Sequence, residues 1–486
     1  MERTAARRRA VATALAAAAA ALAAPATAGA HGLVVSRRDQ PIPDWLFGWA
    51  AAIVLIASFT ALAVAWRRPL LQDDHWRPLP SRAARLLPGR TVQALAGALG
   101  VGLLATTIWS GLAGTRELSL NFAPTFVFVT VWLGGVLVSV LLGDVTRALN
   151  PWRAIGRAVG GLLGALRGGR PLPHLPYPPW LGRWPAVVGL LGFVWLELIY
   201  DAPGDAMLDP ATVATATIAY SAWTLAAMAL FGVERWIERG ETFAVYFHLF
   251  SRLAPLEVRR GYLGRRRPLA AVGSWPTPPG SLALVLTAIG VTAFDGAQEG
   301  ALREPGRWLF ERLLDAGLGT SGALRVSNTL MLLATVTVVA ALYWLGIVGM
   351  ARRRGPLTTG ALARDFAHSF VPIALAYVVA HYFSLFVFQI QAQFTYLLSD
   401  PLGDGSDLFG TAGGGIDYGL FDAEGIWYVQ VAALVIGHVV ALVLAHDRAL
   451  ARFGDARSAA RSQRWMLALM VCFTTAGLYL ISQANA

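Results

Sequence analysis

Four ionisable side chains lie inside long apolar runs: Glu197 in Phe193-Val-Trp-Leu-Glu-Leu-Ile-Tyr, Asp295 in Val291-Thr-Ala-Phe-Asp-Gly-Ala-Gln, His381 in Tyr377-Val-Val-Ala-His-Tyr-Phe-Ser and His438 in Val435-Ile-Gly-His-Val-Val. A charge at the centre of a bilayer costs roughly 2.5–3.5 kcal/mol on insertion scales, so each needs a partner or a wet cavity. Carboxylates mixed with imidazoles are the ligand types of a zinc-like divalent centre, which makes hydroxide available by lowering the pKa of bound water. The same types relay protons in transporters, and they also hold helices together by hydrogen bonds. No pair has His-x-x-x-His spacing, so spacing alone leaves all three uses open.

Depth narrows the choice. At ~1.5 Å per residue from the arginine-flanked ends, Glu197 lies at ~20 Å, Asp295 and His381 at ~22 Å and His438 at ~12 Å, which puts three of the four in one layer. Tyr377, His381 and Ser384 follow i, i+4, i+7 on one helix face, while Gln430, His438 and His446 recur every eight residues along a seam. His446, Asp447 and Arg448 meet His368 near the opposite edge and read as a network fixing helix ends. The sequence contains no Gly-x-Ser-x-Gly elbow, P-loop or His-Glu-x-x-His.

The elements that must hold these residues are membrane helices. Of 486 residues, 56% are hydrophobic and 14% charged, with a mean hydropathy of +0.54, and this excludes a water-soluble enzyme. The first 30 residues read as a cleaved signal peptide: Arg3 and Arg7 to Arg9, an apolar run from Ala10 to Ala24, then small residues. Residues 31–44 form a short extracytoplasmic segment. Cleavage after Ala30 makes His31 the first residue, whose amine and imidazole together can chelate a metal such as copper. Residues 45–486 then form an all-α polytopic bundle of about ten spans, at 45–66, 91–114, 122–143, 184–200, 212–232, 280–298, 324–350, 366–390, 426–446 and 464–482.

Charge orients them. Every one of the 40 basic residues is Arg, and under one assignment the arginines gather in alternate loops, while Asp201, Asp205, Asp209 and the glycine-rich 391–425 loop occupy the other side. The positive-inside rule then places the mature amino terminus outside a bacterial plasma membrane. The net charge of +11 therefore faces anionic lipid, and a nucleic-acid partner is not expected. Pro171 to Pro179 predicts an extended loop, and aromatic residues at helical spacing from Glu234 to Leu253 predict a helix lying in the interface. Gly403 to Gly419 reads as either a lid or a solvated linker. The single Cys472 excludes an internal disulfide.

Two stretches carry a family resemblance. Ala30-His-Gly-Leu-Val-Val-Ser-Arg-Arg-Asp-Gln-Pro-Ile-Pro-Asp-Trp and Gly437-His-Val-Val-Ala-Leu-Val-Leu-Ala-His-Asp-Arg resemble bacterial polytopic membrane proteins labelled fenitrothion hydrolase, as do Asn150-Pro-Trp and Phe294-Asp-Gly. The resemblance implies hydrolysis of an apolar organophosphorus triester but brings no catalytic residue set. By depth and residue type, Asp295, His381, Glu197 and His438 are the expected ligands of a divalent metal, with Tyr377 or Gln298 orienting the substrate. The alternative is a transporter or a copper-handling protein in which His31 and the acidic loop collect the cation. A third is a scaffold whose polar residues only join helices.

Overall fold

The computed structural model describes residues 44–484 apart from 201–207, 299, 352–357 and 454. The expected signal peptide, His31, Asp201, Asp205 and Arg352 to Arg354 lie outside the described residues. The chain is an all-α polytopic membrane bundle, and all ten expected spans contain helix. They are α1 (Asp44–Ala65), α2 (Arg90–Ala113), α3 (Phe122–Leu142), α5 (Trp184–Leu198), α6 (Pro210–Phe231), α9 (Ser281–Gln298), α11 (Thr320–Ala351), α12 (Val371–Phe394), α13 (Ala423–Phe453) and α14 (Arg464–Ala484). Among the described residues, eight helical stretches are long and apolar enough to cross a membrane; α5 and the described part of α14 are shorter.

Between them lie α4 (Pro151–Leu166), α7 (Val233–Arg239), α8 (Thr242–Ser251) and α10 (Arg303–Asp315). The 171–178 segment has neither helix nor strand. The sequence reading missed α4 and α10, two amphipathic helices, and it misplaced α8. Far from lying in the interface, α8 is buried along nearly its whole length, with Phe247 against Gly135 of α3 and Thr242 against Gly189 of α5. Its aromatic residues have helical spacing because they fill the bundle on several sides, a pattern that alone resembles an interfacial helix.

Local sequence fixes the helix ends. Asp209 caps α6 by accepting from Thr212 N, with Pro210 in the first turn; Asn150 caps α4 in the same way ahead of Pro151. Small residues let backbones approach: a Cβ on Gly437 of α13 would lie 2.3 Å from the Ala376 Cβ of α12. The most enclosed of the eight long apolar stretches is α9, with 78% of its span buried. Asp295, in its last turn, therefore faces protein on most sides.

The arginine-rich loops meet at one end. There β1 (Arg77–Pro78), β2 (Leu256–Arg259) and β3 (Tyr262–Arg265) form an antiparallel sheet in the order β1-β3-β2, with Arg77 opposite Arg265 and Arg259 opposite Tyr262. Arg260 and Gly261 make the two-residue β2–β3 turn, both with positive φ (52° and 79°). Asp447 Oδ1 accepts from Trp66 Nε1 and Leu70 N, and its Oδ2 accepts from Leu71 N and Gln72 Nε2. His446 Nε2 bonds Trp66 O, and His368 Nδ1 bonds Asp365 O. This group joins loops and helix ends. At the opposite, acidic end, residues 400–422 form turns tied by Asp400 and Asp407, and Phe421 and Tyr418 pack on Phe383 and Phe388 of α12.

Candidate functional site

Asp295 of α9 and His381 of α12 meet inside the bundle. His381 Nε2 lies 2.8 Å from Asp295 Oδ2, and Tyr382 donates its hydroxyl to the same oxygen at 2.6 Å. Both side chains keep some access, 22% for His381 and 16% for Asp295. His381 Nδ1 has no hydrogen-bond partner among the described residues. A carboxylate that engages one ring nitrogen sets the tautomer of the other, so Nδ1 is available to accept a proton.

Glu197, near the end of α5, lies within electrostatic range of Asp295, Tyr382 and Tyr246. Its Oε2 is buried without a hydrogen-bond partner, as are the Tyr246 hydroxyl of α8 and Trp132 Nε1 of α3. The Tyr246 and Trp132 rings stack in parallel with centroids 4.6 Å apart. Trp132 belongs to a π-helical stretch, Thr125–Gly134, that packs against α12. Such stretches are rare and concentrate at functional sites, because the altered winding re-aims side chains. An unmet buried polar group costs ~1–3 kcal/mol, so Glu197 Oε2 and the Tyr246 hydroxyl are unfavourable in a dry apolar core.

Two expected members are elsewhere. Tyr377 donates to Phe473 O at 2.9 Å and faces His438, with ring centroids 6.3 Å apart. His438 is fully buried, bonding Leu434 O through Nδ1 at 2.7 Å while its Nε2 has no partner. The reason is angular. Residues i and i+4 are offset by about 40°, and Asp295 lies in the sector between His381 and Tyr382, on the side away from Tyr377. Of the i, i+4, i+7 stripe, His381 reaches Asp295 while Tyr377 points to a neighbouring seam.

The expected metal ligands Glu197, Asp295, His381 and His438 do not converge. Among the described residues no group of three His, Cys, Asp or Glu could hold an ion, and the Asp295 oxygen is already shared by His381 and Tyr382. His31 lies outside the described residues. The donor set present does not fit a protein-held divalent ion. What the sequence reading missed is Tyr382, Tyr246 and Trp132. The cue for Tyr382 was its position beside His381; Tyr246 and Trp132 depend on the burial of α8 and the π-helix, which leave no periodic signal.

Around the arginine-rich end, the carboxylates are paired. Glu234 bonds Arg147 (2.8 Å), Arg153 (3.1 Å) and Arg157 (2.6 Å). Burial opposes its ionisation, but Arg147 and Arg153 outweigh that effect and hold the carboxyl at about 2. Glu241, fully buried, accepts from the Tyr220 hydroxyl, Asn150 Nδ2 and the Phe243 and Ala244 amides, linking the caps of α4 and α8. Compared with family models, with curated proteins and with solved structures, the chain matches none of them.

Proposed function

We propose that this membrane protein is a hydrolase that draws an apolar ester from the lipid and activates water with the Asp295–His381 dyad. The observation that supports this reading is an imidazole held by a carboxylate at 2.8 Å, with no hydrogen bond to its other nitrogen among the described residues and a partly accessible side chain. In the proposed step, water gives a proton to His381 Nδ1 as its oxygen attacks the electrophilic centre. Asp295 stabilises the imidazolium that forms, and the aryloxide leaves. Tyr382 fixes the carboxylate. Organophosphorus triesters, the class implied by the family resemblance, are the substrates to try first. With the arginine-rich loops placed on the cytoplasmic side of a bacterial plasma membrane, the dyad lies in the outer half of the bilayer, open to lipid-borne substrate and outside water.

Glu197 favours a second reading. A buried carboxyl with an unpartnered oxygen near Asp295 suits a proton carrier, so the same residues would serve proton-coupled transport. One set of variants separates the two. In detergent, the wild-type protein is expected to release nitrophenol from a nitrophenyl triester, and Asp295→Asn or His381→Ala to lower the rate by about 10²–10⁴-fold at unchanged melting temperature. Unchanged release in both variants rejects the hydrolytic site. Substrate-driven proton uptake into liposomes without hydrolysis supports the carrier.

A further inference from the structure

Arg183 is a buried guanidinium at the arginine-rich end, 5% exposed, with no carboxylate partner among the described residues. Its Nη1 donates to Pro276 O (2.9 Å) and Ser281 Oγ (3.0 Å). Nε is buried without an acceptor, and Nη2 makes no hydrogen bond to the described residues. Nε and Nη2 form one edge of the fork, the edge that grips an oxyanion through two parallel N–H bonds. The guanidinium lies over the Trp275 ring, 4.4 Å from its centroid, and Trp275 Nε1 is also buried without an acceptor.

The surroundings are positive. Two helix N-termini start here, those of α5 after Arg183 and of α9 at Ser281. They are pinned together by Arg183 N donating to Pro279 O at 2.7 Å. Gly182 and Gly280, both with positive φ, permit that approach: a Cβ on Gly182 would lie 2.1 Å from Pro279 O. Arg239, half-buried on α7, and its neighbour Glu238 both lie in electrostatic range of Arg183, while the ion pairs of Glu234 and Glu238 are made with Arg147. Burial, then the charges of Arg239 and Arg252, push the Arg183 pKa down to about 9, so the group is still cationic at neutral pH. Trp180 and Trp184 are exposed beside it, as interfacial anchors are at headgroup depth.

We infer that Arg183, set at the paired N-termini of α5 and α9 with the charge of Arg239 of α7 in range, forms a binding site for a phosphate oxyanion, carried by a phospholipid headgroup or free in solution. Helix dipoles, a free guanidinium edge and an unneutralised second arginine all favour the same ligand charge. The site is separate from the Asp295–His381 dyad and does not depend on its chemistry.

Melting of the delipidated full-length protein in detergent, titrated with phosphatidylglycerol, inorganic phosphate or diacylglycerol, tests the assignment through ligand-dependent stabilisation. Phosphatidylglycerol is expected to raise the melting temperature and diacylglycerol, with chains but no phosphate, to leave it unchanged. A rise with inorganic phosphate as well identifies the free ion as a ligand; a rise with phosphatidylglycerol alone identifies the headgroup. Arg183→Gln should abolish the shift, and Arg239→Gln should weaken apparent affinity by about tenfold or more. If Arg183→Gln does not fold, the half-buried Arg239→Gln decides. No shift in the wild type, an equal shift with diacylglycerol, or an unaltered shift in Arg239→Gln overturns the assignment.

Discussion

Two polar regions of this bundle are built on opposite principles. At the arginine-rich end the carboxylates are answered several times over: buried Asp447 by two amides, an indole and a side-chain amide, part-exposed Glu234 by three guanidinium groups, and buried Glu241 by a hydroxyl, an amide side chain and two backbone N–H groups. Around Asp295 the opposite holds: Glu197 Oε2, the Tyr246 hydroxyl and Trp132 Nε1 are buried and unmet, and His381 keeps a nitrogen free. Satisfied groups hold loops to helices, whereas unmet groups keep the capacity to bind or exchange protons. The contrast is one of carboxylates: those of the arginine-rich end are met by several donors, whereas Glu197 keeps an unmet oxygen beside Asp295.

The contrast predicts opposite signs on mutation. The largest effect is expected at Asp447. Asp447→Ala strands four donors and should cost about 3–5 kcal/mol, read as loss of monodisperse protein in detergent or a steep fall in melting temperature. Tyr246→Phe removes a hydroxyl that has no partner, so it should leave stability unchanged or raise it by up to ~1 kcal/mol; a loss above ~1 kcal/mol would show that the hydroxyl is already satisfied in the folded protein. The smallest effect concerns pH. The Glu234 carboxyl is depressed from an ordinary value near 4.5 to about 2, so its stabilising contribution is complete above about pH 4.5 and is lost as pH falls toward 2. The side chain is 43% exposed, and solvent screening keeps the contribution modest. Melting curves of wild type and Glu234→Gln should differ at pH 6 and converge near pH 2; parallel curves across that window would remove Glu234 from the ion-pair network.

Much of the architecture was legible because bilayers impose simple rules. Apolar run length set the spans, and alternating charge predicted which loops gather at each end: Arg67-flanked, Arg147-flanked and Arg448-flanked segments do meet there. Counting rise per residue placed Asp295 and His381 at one depth, and they hydrogen-bond. The same count could not tell which side of a helix His438 faces, nor that Tyr377 turns toward Phe473, since depth carries no angular information and a 40° offset redirects a side chain. The burial of α8 was hidden because its aromatic residues serve a core as readily as an interface. Tyr382 was obscured by the histidine beside it, which drew the helix-face argument to its own stripe.

The winding of α3 has an inherited consequence. Through Thr125–Gly134 the backbone bonds from i to i+5, so this stretch holds more residues per turn than the helix on either side. A gene that lost one codon within this stretch while keeping its wide winding would turn every position after the deletion by about one residue step relative to those before it. Trp132 would leave the Tyr246 ring, and Gly135 would leave Phe247, while hydropathy and span length stayed nearly the same. Composition is blind to such a deletion, which makes the residue count between Phe122 and Leu142 a more sensitive marker of descent for this site than the identity of most residues within it.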